Sequence, residues 1–462
     1  MGRSFSDFKK YIKDKKVAVL GIGVSNKPLI RCIVSLGARV TACDMKTIEK
    51  LGSECSEFEG MGVKLRCGED YLAGLEKFDV IFKTPMLRPD IPELLLAKDN
   101  GVYITSEMEE FVKYCPAPII GVTGSDGKTT TTTLIYHMLT EEGYKVWLGG
   151  NIGTPLFDKL DDINEKDKVV LELSSFQLMV MDVSPQRVVI TNLSPNHLDV
   201  HKSMEEYVEA KKNIFKFQEQ DGLLILNLDN EITRTMAAQA KGKVSFFSRL
   251  DNVDEGACII GKELVLITKG IQHTICSIEE VKLPGSHNIE NLLAASAAVT
   301  GLCSVESMRK VAVTFMGVEH RIEFVREING VKYYNDSIAS SPTRAAAGLN
   351  SFKQKVILIA GGYDKKIPFD ELAEVGVHRI RLLILVGVTA RKIEDAFNKE
   401  MEKTGIKLPI IYADSLASAV DAARKNSSPG DIVTLSPACA SFDMFTNFEE
   451  RGNKFKEIVN NI

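Results

Sequence analysis

Several broad classes are excluded by what this chain lacks. No apolar run approaches the ~20 residues needed to cross a bilayer; the longest, such as Val356–Ala360 and Leu382–Val386, have strand length. No membrane insertion is expected. There is no basic excess: 57 lysines and arginines face 62 acidic residues, a net charge of −5, so no nucleic-acid partner is expected. The lysines of the first segment (Lys9, Lys10, Lys13, Lys15, Lys16) read as a solvated helix face. There is no Cys-x-x-Cys pair and no ligand-spaced Cys/His cluster. Nine scattered cysteines read as reduced thiols of a cytosolic protein. Met1–Lys16 has no apolar core of a secretory signal, so a cytoplasmic location is expected. No internal repeat is evident.

What is present is enough for several ordinary cores. The 462 residues are 44% hydrophobic and 26% charged, so two to four domains are expected without disulfide or structural-metal support. Short β-branched runs alternate with helical patterns: Val17–Leu20, Val40–Cys43, Val80–Phe82, Ile119–Val122, Val169–Leu173, Val188–Asn192, Leu223–Asn227, Val356–Ala360, Leu382–Val386 and Ile432–Leu435. This alternation predicts an α/β fold with parallel sheets covered by helices on both faces. Glycine-rich turns follow Leu20, Val122 and Ala360. They suggest three domains, 1–106, 107–317 and 318–462, with boundaries near Ser106 and Gly317.

The most specific local signal is Ile119–Thr130. An apolar strand runs into Gly121-Val122-Thr123-Gly124-Ser125-Asp126-Gly127-Lys128-Thr129-Thr130 and then a helix, Thr131–Thr140. Main-chain N–H groups of such a loop converge on phosphate oxygens, and the helix N-terminus adds its positive end. Lys128 supplies a charge to the β- and γ-phosphates of ATP, and the Thr129 hydroxyl suits Mg²⁺. The spacing departs from the strict P-loop: Val122 stands five residues before Gly127, and Gly121 and Gly124 are out of register. A second turn, Gly21-Ile22-Gly23-Val24-Ser25-Asn26, resembles a dinucleotide fingerprint with Asp44 closing the next strand, but Asn26 replaces the third glycine. It points to a diphosphate rather than specifically to a nicotinamide dinucleotide.

The loop Thr123–Thr130 resembles that of the Mur ligases. Three further segments strengthen the match: Gly149–Gly153, Leu171–Leu178 and Leu435–Asp443. The last two are the most discriminating and are similar to the D-glutamate-adding branch. The resemblance runs along essentially the whole chain. It implies an N-terminal Rossmann-like UDP-binding domain, a central P-loop-like ATPase domain with a parallel sheet, and a C-terminal Rossmann-like domain. It also implies ATP-dependent activation of a carboxylate as an acyl phosphate and its capture by an amine. The implied substrates are UDP-N-acetylmuramoyl-L-alanine and D-glutamate, with two Mg²⁺ ions, in a monomer that serves peptidoglycan precursor synthesis.

The resemblance assigns residues. Gly124 to Thr130 (Gly124, Ser125, Asp126, Gly127, Lys128, Thr129, Thr130), Asn288, Asn291, His320, Arg321 and Asp336 are expected at ATP. Thr129, Glu172 and His197 are expected at Mg²⁺. Glu172 ends its strand, where ligands of open α/β sheets bind. Lys128, His197 and Lys211 are expected in catalysis, with Lys211 carbamylated by CO₂; from the residues alone Lys211 is a surface lysine, and the helix register favours it over Lys212. Val24, Ser25, Asp44, Lys46 and Asn151 are expected at the UDP substrate. Ser340, Lys365, Ser441 and Phe448 are expected at the amino acid, with Lys366 competing for the role of Lys365. Asn288 and Asn291, three apart at the start of the Ala-rich helix Leu292–Val299, have simple N-capping as their alternative. His197 and His201 are four apart, but Pro195 and the absence of a zincin glutamate argue against zinc. The three domains are expected to close on binding.

Two departures stand out. The family's Asp-Ser-Lys-Ala-Thr-Asn reads Asp336-Ser337-Ile338-Ala339-Ser340-Ser341, and its Ser-Pro-Gly reads Thr84-Pro85-Met86. Other readings explain less. Another Mur-type or folylpolyglutamate-type ligase is the near alternative, although the Asp-Asn-Pro-Arg of diaminopimelate-adding relatives is absent. An NAD-dependent oxidoreductase leaves Thr123–Thr130 without a role. A non-catalytic nucleotide-binding module leaves Glu172, His197 and Lys211 without one.

Overall fold

The computed structural model describes residues 4–51, 54–195, 200–283, 285–365 and 367–462. His197 and Lys366 lie outside the described residues. The chain forms two compact units, Met1–Phe315 and Met316–Ile462. Among the described residues no helix is long and apolar enough to cross a membrane.

The first unit contains two sheets. The N-terminal sheet is built from β1 (Lys16–Leu20), β2 (Arg39–Asp44), β3 (Lys64–Cys67), β4 (Val80–Lys83) and β5 (Tyr103–Thr105), all parallel, in the order β3-β2-β1-β4-β5. Strand order reverses at β1, so the crevice lies at the carboxyl ends of β1 and β4. The central sheet has nine strands: β6 (Ile119–Thr123), β7 (Val146–Gly150), β8 (Lys168–Glu172), β9 (Arg187–Ile190), β10 (Leu223–Asn227), β11 (Lys243–Ser248), β12 (Gly256–Ile260), β13 (Glu263–Thr268) and β14 (Ile271–Ser277). Their order is β14-β13-β12-β11-β10-β9-β6-β8-β7. The strands flanking β6 are β8 and β9, and all three run parallel. The turn after β6 is therefore bracketed by the ends of its neighbours. One apolar cluster joins Phe8, Phe82 and Phe111 to Phe157, Leu171 and Ile190, so the two sheets share packed surface.

The second unit has six strands, β15 (Glu323–Ile328), β16 (Val331–Asn335), β17 (Val356–Ala360), β18 (Ile380–Val386), β19 (Ile410–Ala413) and β20 (Ile432–Leu435), in the order β15-β16-β20-β17-β18-β19. Separate apolar clusters cover its two faces. The loops after β16, β17 and β20 meet at one edge, because those strands are parallel neighbours.

The sheets are not wholly parallel, contrary to the reading of strand–helix alternation. β12 to β14 form an antiparallel meander, and β15 pairs antiparallel with β16. The cause is turn chemistry. Two-residue connections with left-handed backbone (Gly261 at φ +64°, Lys269 at +52° with Gly270 at +77°, Asn329 at +50° with Gly330 at +77°) reverse the chain at once and leave no room for a crossover helix.

Lys83, the last residue of β4, is 1% exposed, and its Nζ has no hydrogen-bond partner among the described residues. Burial holds its pKa down to about 8 from 10.5, opposed by the charge of Glu109. The unfolded chain thus binds a proton more tightly than the folded one, and stability rises as pH climbs from about 8 towards the ordinary lysine value of ~10.4. Lys83→Met keeps the volume and removes the buried charge. Urea unfolding is expected to show the variant more stable by about 2 kcal/mol at pH 7, with the difference shrinking towards pH 10. A constant difference would mean that the amine is not the cause.

Candidate active site

The loop after β6 is shaped by two glycines. A Cβ on Gly124 (φ +150°) would lie 1.9 Å from Thr191 Oγ1, and one on Gly127 (φ +77°) would lie 2.2 Å from Asn291 Oδ1. Neither position admits a side chain. The helix Lys128–Glu141 starts directly after Gly127 with no side-chain cap, which leaves its first N–H groups for an anion. The loop is pinned from β9: Ser125 N donates to Asn192 O (2.8 Å), Asp126 N to Asn192 Oδ1 (3.0 Å) and Thr191 Oγ1 to Asp126 O (2.6 Å). Ser125 Oγ also donates to Ser194 O at 3.0 Å. Lys128 Nζ curls over the loop and donates to Gly124 O (3.0 Å) and Ser125 O (2.8 Å).

A carboxylate corner adjoins the loop. Glu172 ends β8 beside Val122 of β6 and is 1% exposed. Its Oε2 accepts from Thr129 Oγ1 and its Oε1 from Asn151 Nδ2, each at 2.7 Å. Asn151 is set by its own N–H, which donates to Glu172 O at 2.8 Å. Gly150 allows this approach, since a Cβ there would stand 2.1 Å from Glu172 O. Thr129, Glu172 and Asn151 thus meet at one point. The hydroxyl of Thr129 and the carboxylate of Glu172 are oxygen donors that suit a hard cation completed by phosphate and water, and the Asn151 amide nitrogen holds the carboxylate in place. Among the described residues no cluster of three His, Cys, Asp or Glu forms a softer site.

Lys211 is not a surface lysine. It lies on the helix Met204–Lys216, is 2% exposed, and donates from Nζ to Thr123 Oγ1 (3.0 Å) and Gly124 O (2.9 Å), with the ammonium 5.0 Å from the Tyr207 ring centre. Burial first, then the charge of Lys128, holds its pKa well below the ordinary lysine value. A signal existed in the sequence: Lys211 falls four residues after Tyr207 and four before Phe215, on the buried stripe of its helix.

His201, weighed against zinc, is a core residue. Its Nε2 meets Ser175 Oγ at 2.9 Å and its ring stacks on Phe176 at 5.4 Å. Asn288 and Asn291 are inside the helix Ser286–Ala298, whose cap position is Gly285, so N-capping is not their role. Asn291 Nδ2 donates to Asn288 Oδ1 (3.2 Å), and Asn291 Oδ1 accepts from Thr131 Oγ1 (3.3 Å), bracing the loop at Gly127.

At the N-terminal sheet, Asp44 holds the glycine turn. Its Oδ2 accepts from Ile22 N (2.7 Å) and its Oδ1 from Lys46 N (2.9 Å). Asn26 replaces the third glycine as a clamp, its Nδ2 donating to Leu20 O (3.1 Å) and Gly21 O (2.8 Å). Val24 and the Lys46 side chain are exposed, and Ser25 is half-buried. Arg88 was missed in the sequence. It pairs with Asp90 (2.8 Å) and Glu206 (2.7 Å) and donates to Val200 O (2.7 Å), tying the loop after β4 to the helix that carries Lys211. The Arg88 contact holds the Glu206 carboxyl down to about 2.

In the second unit, Lys365 Nζ donates to Ser340 O (3.0 Å) and Oγ (3.3 Å), which brings two of the expected amino-acid residues together. Ser441 is buried, and Phe448 starts the helix Phe448–Asn460, its carbonyl accepting from Ser337 Oγ at 2.8 Å. Asp336 is 4% exposed and accepts from Ser436 Oγ (2.7 Å) and Ile322 N (3.2 Å); burial pushes its pKa up to about 7. His320, at φ +63°, is turned inward: its Nδ1 meets Asn335 Nδ2 at 2.9 Å and its ring meets Phe448 edge-on at 5.9 Å. Arg321 is exposed. Arg451 was also missed. It is 2% exposed and donates to Ser337 Oγ (2.9 Å), Ser337 O (2.8 Å) and Cys439 O (3.1 Å), joining the loop after β16 to that after β20.

Comparison with known proteins identifies related chains. The Mur ligase middle domain matches residues 122–299, and the Mur ligase glutamate ligase domain matches residues 320–439. The chain is 60% identical over 462 residues to the UDP-N-acetylmuramoylalanine–D-glutamate ligase of Clostridium novyi and 59% identical over 463 residues to that of Clostridium acetobutylicum, with 100% of each chain covered. Among solved structures it shares the fold of the UDP-N-acetylmuramate-alanine ligase MurC of Thermotoga maritima, with a TM-score of 0.54 and 18% identity over 97% of this chain and 99% of that one. On the two matched domains and this full-length identity, the chain belongs to the Mur ligase family.

Proposed function

We propose that the chain is an ATP-dependent ligase that joins D-glutamate to UDP-N-acetylmuramoyl-L-alanine in peptidoglycan precursor synthesis. The observation that carries this reading is the junction of Thr129, Glu172 and Asn151 beside the Gly124–Lys128 loop, in a chain 60% identical over its whole length to a ligase of that name.

The chemistry follows from the weakness of a carboxylate as an electrophile. The substrate carboxylate attacks the γ-phosphorus of ATP, the bond to the bridging oxygen breaks, and ADP leaves. The acyl phosphate so formed is attacked by the amine; the tetrahedral adduct expels inorganic phosphate and the amine loses a proton. Little covalent work falls to the protein, so positioning and charge are its main contribution. Main-chain N–H groups at Gly127 and in the uncapped first turn of the helix Lys128–Glu141 cradle the triphosphate, and Lys128 neutralises it. Thr129 and Glu172 would hold Mg²⁺, which would supply charge neutralisation at the phosphate oxygens. Asn151 fixes the Glu172 carboxylate. Lys365 and Ser340 receive the amino acid. On this reading residues 1–106 take the UDP end, 107–317 take ATP, and 318–462 take D-glutamate, in a cytoplasmic monomer. His197, by its place in the chain, would serve a second Mg²⁺, and Lys211 would be carbamylated.

Phosphate release tests the reading, with ATP, Mg²⁺ and UDP-N-acetylmuramoyl-L-alanine present and D-glutamate, L-glutamate, meso-diaminopimelate or L-lysine offered in parallel. Release with D-glutamate alone is expected. Release with another amine would overturn the specificity and keep the ligase chemistry; no release with any would overturn the reaction. Glu172→Gln keeps the shape of the corner and removes its charge. It is expected to raise the Mg²⁺ concentration for half-maximal rate by at least about tenfold, as a hard cation loses an anionic oxygen ligand at that corner. An unchanged Mg²⁺ dependence would remove Glu172 from the metal site.

A further inference from the structure

A dicarboxylic amino acid carries two negative charges, and one lysine cannot fork both. The loop after β16 offers no cation of its own, because position 338 is an apolar Ile338. The helix that follows, Pro342–Asn350, supplies one. Gly348 on this helix faces Asp336: a Cβ there would lie 2.7 Å from Asp336 Oδ2. Arg344 stands four residues earlier, on the same face and one turn nearer the loop 336–341. Lys365 reaches that loop from the other side, its Nζ on Ser340. The charge of Arg344 is felt at both groups. It lowers the Lys365 amine, second to burial, and it acts against the upward push of burial at Asp336. The Arg344 side chain is exposed and makes no ion pair among the described residues, while its neighbour Thr343 donates to Glu371 Oε2 at 2.6 Å. Two cations brought together beside a serine hydroxyl repel each other, and a bound dianion relieves that repulsion.

We infer that Arg344 is a substrate-binding and specificity-determining residue, its guanidinium holding one carboxylate of the incoming D-glutamate while Lys365 holds the other. The planar fork matches a carboxylate through two parallel N–H···O bonds, which a lysine cannot reproduce. The inference rests on the proposed reaction.

Initial rates of phosphate release by the full chain test it, with each substrate varied in turn for wild type, Arg344→Gln and Arg344→Lys. Arg344→Gln is expected to raise the KM for D-glutamate by about 10- to 100-fold, as loss of a charge-assisted bidentate contact does. The KM values for ATP and the UDP substrate should stay within about twofold, and Arg344→Lys should recover part of the loss. Discrimination against D-glutamine, which has one carboxylate fewer, should narrow in Arg344→Gln. A D-glutamate KM equal to wild type overturns the inference, and so does a parallel rise of all three KM values, which marks a structural residue. Should Arg344→Gln fail to fold, Arg344→Lys decides: a several-fold rise confined to D-glutamate supports the assignment, and a wild-type KM overturns it. A wild type that releases no phosphate with D-glutamate counts against the reaction, not against Arg344.

Discussion

Lys128→Ala is expected to lower the rate of phosphate release by at least about a hundredfold, the usual loss when one preorganised charge donor is removed from a phosphoryl-transfer site. The substitution removes the two hydrogen bonds from Lys128 Nζ to the loop carbonyls of Gly124 and Ser125. The glycine backbone at Gly124 and Gly127 and the contacts from Thr191 and Asn192 still hold the loop. The main-chain cradle therefore remains, and the loss reports the missing charge. Lys128→Arg is expected to be impaired as well. The loop carbonyls of Gly124 and Ser125 fit a compact ammonium at 3.0 and 2.8 Å, whereas a planar guanidinium needs a wider arrangement. The decisive comparison sets turnover beside nucleotide affinity from equilibrium dialysis. Weak turnover with retained ATP binding places Lys128 in the transition state. Near-normal turnover in Lys128→Ala would remove it from the mechanism.

The parts of this site that were legible in the sequence are those whose chemistry is local. A strand, a turn that only glycine can make and a Lys-Thr pair lie within twelve residues, and Glu172 marks a strand end by its own contrast with Val169–Leu171. The parts that were not legible depend on partners far along the chain. Arg88 reaches Glu206, 118 positions away, and Arg451 reaches Ser337, 114 positions away; nothing near either arginine announces its partner. Lys211 was misread for a different reason. Lysine is so seldom buried that its place on an apolar stripe is outweighed by its identity. The antiparallel hairpins could have been read. Asn329-Gly330 between two β-rich runs is a strong hairpin signal, local to a chain in which strands otherwise mostly alternate with helices.

Lys211 carries the other large expected effect. Both Lys211→Met and Lys211→Arg are expected to lower turnover by at least about a hundredfold, because a preorganised group beside the loop is lost in each. The pair separates two roles. If the residue served only as a positive charge, arginine would retain much of the activity. If its amine must react with CO₂, arginine fails as methionine does, since a guanidinium stays protonated. The proposed function takes the second role. Only a neutral amine attacks CO₂, forming an N–C bond and releasing one proton, and burial together with the charge of Lys128 holds this amine well below its usual pKa. The same Lys128 that opposes an ammonium here favours the anion that carbamylation would create. Stability follows the same linkage. The unfolded lysine binds its proton more tightly than the folded one, so wild-type stability rises with pH up to the ordinary lysine value. Lys211→Met should therefore be more stable than wild type at neutral pH, and the gap should close in alkali. Incubation with ¹³C-bicarbonate should give a carbamate resonance in wild type that is absent from Lys211→Arg. Full activity in Lys211→Arg would sink the carbamate role and leave Lys211 as a buried charge.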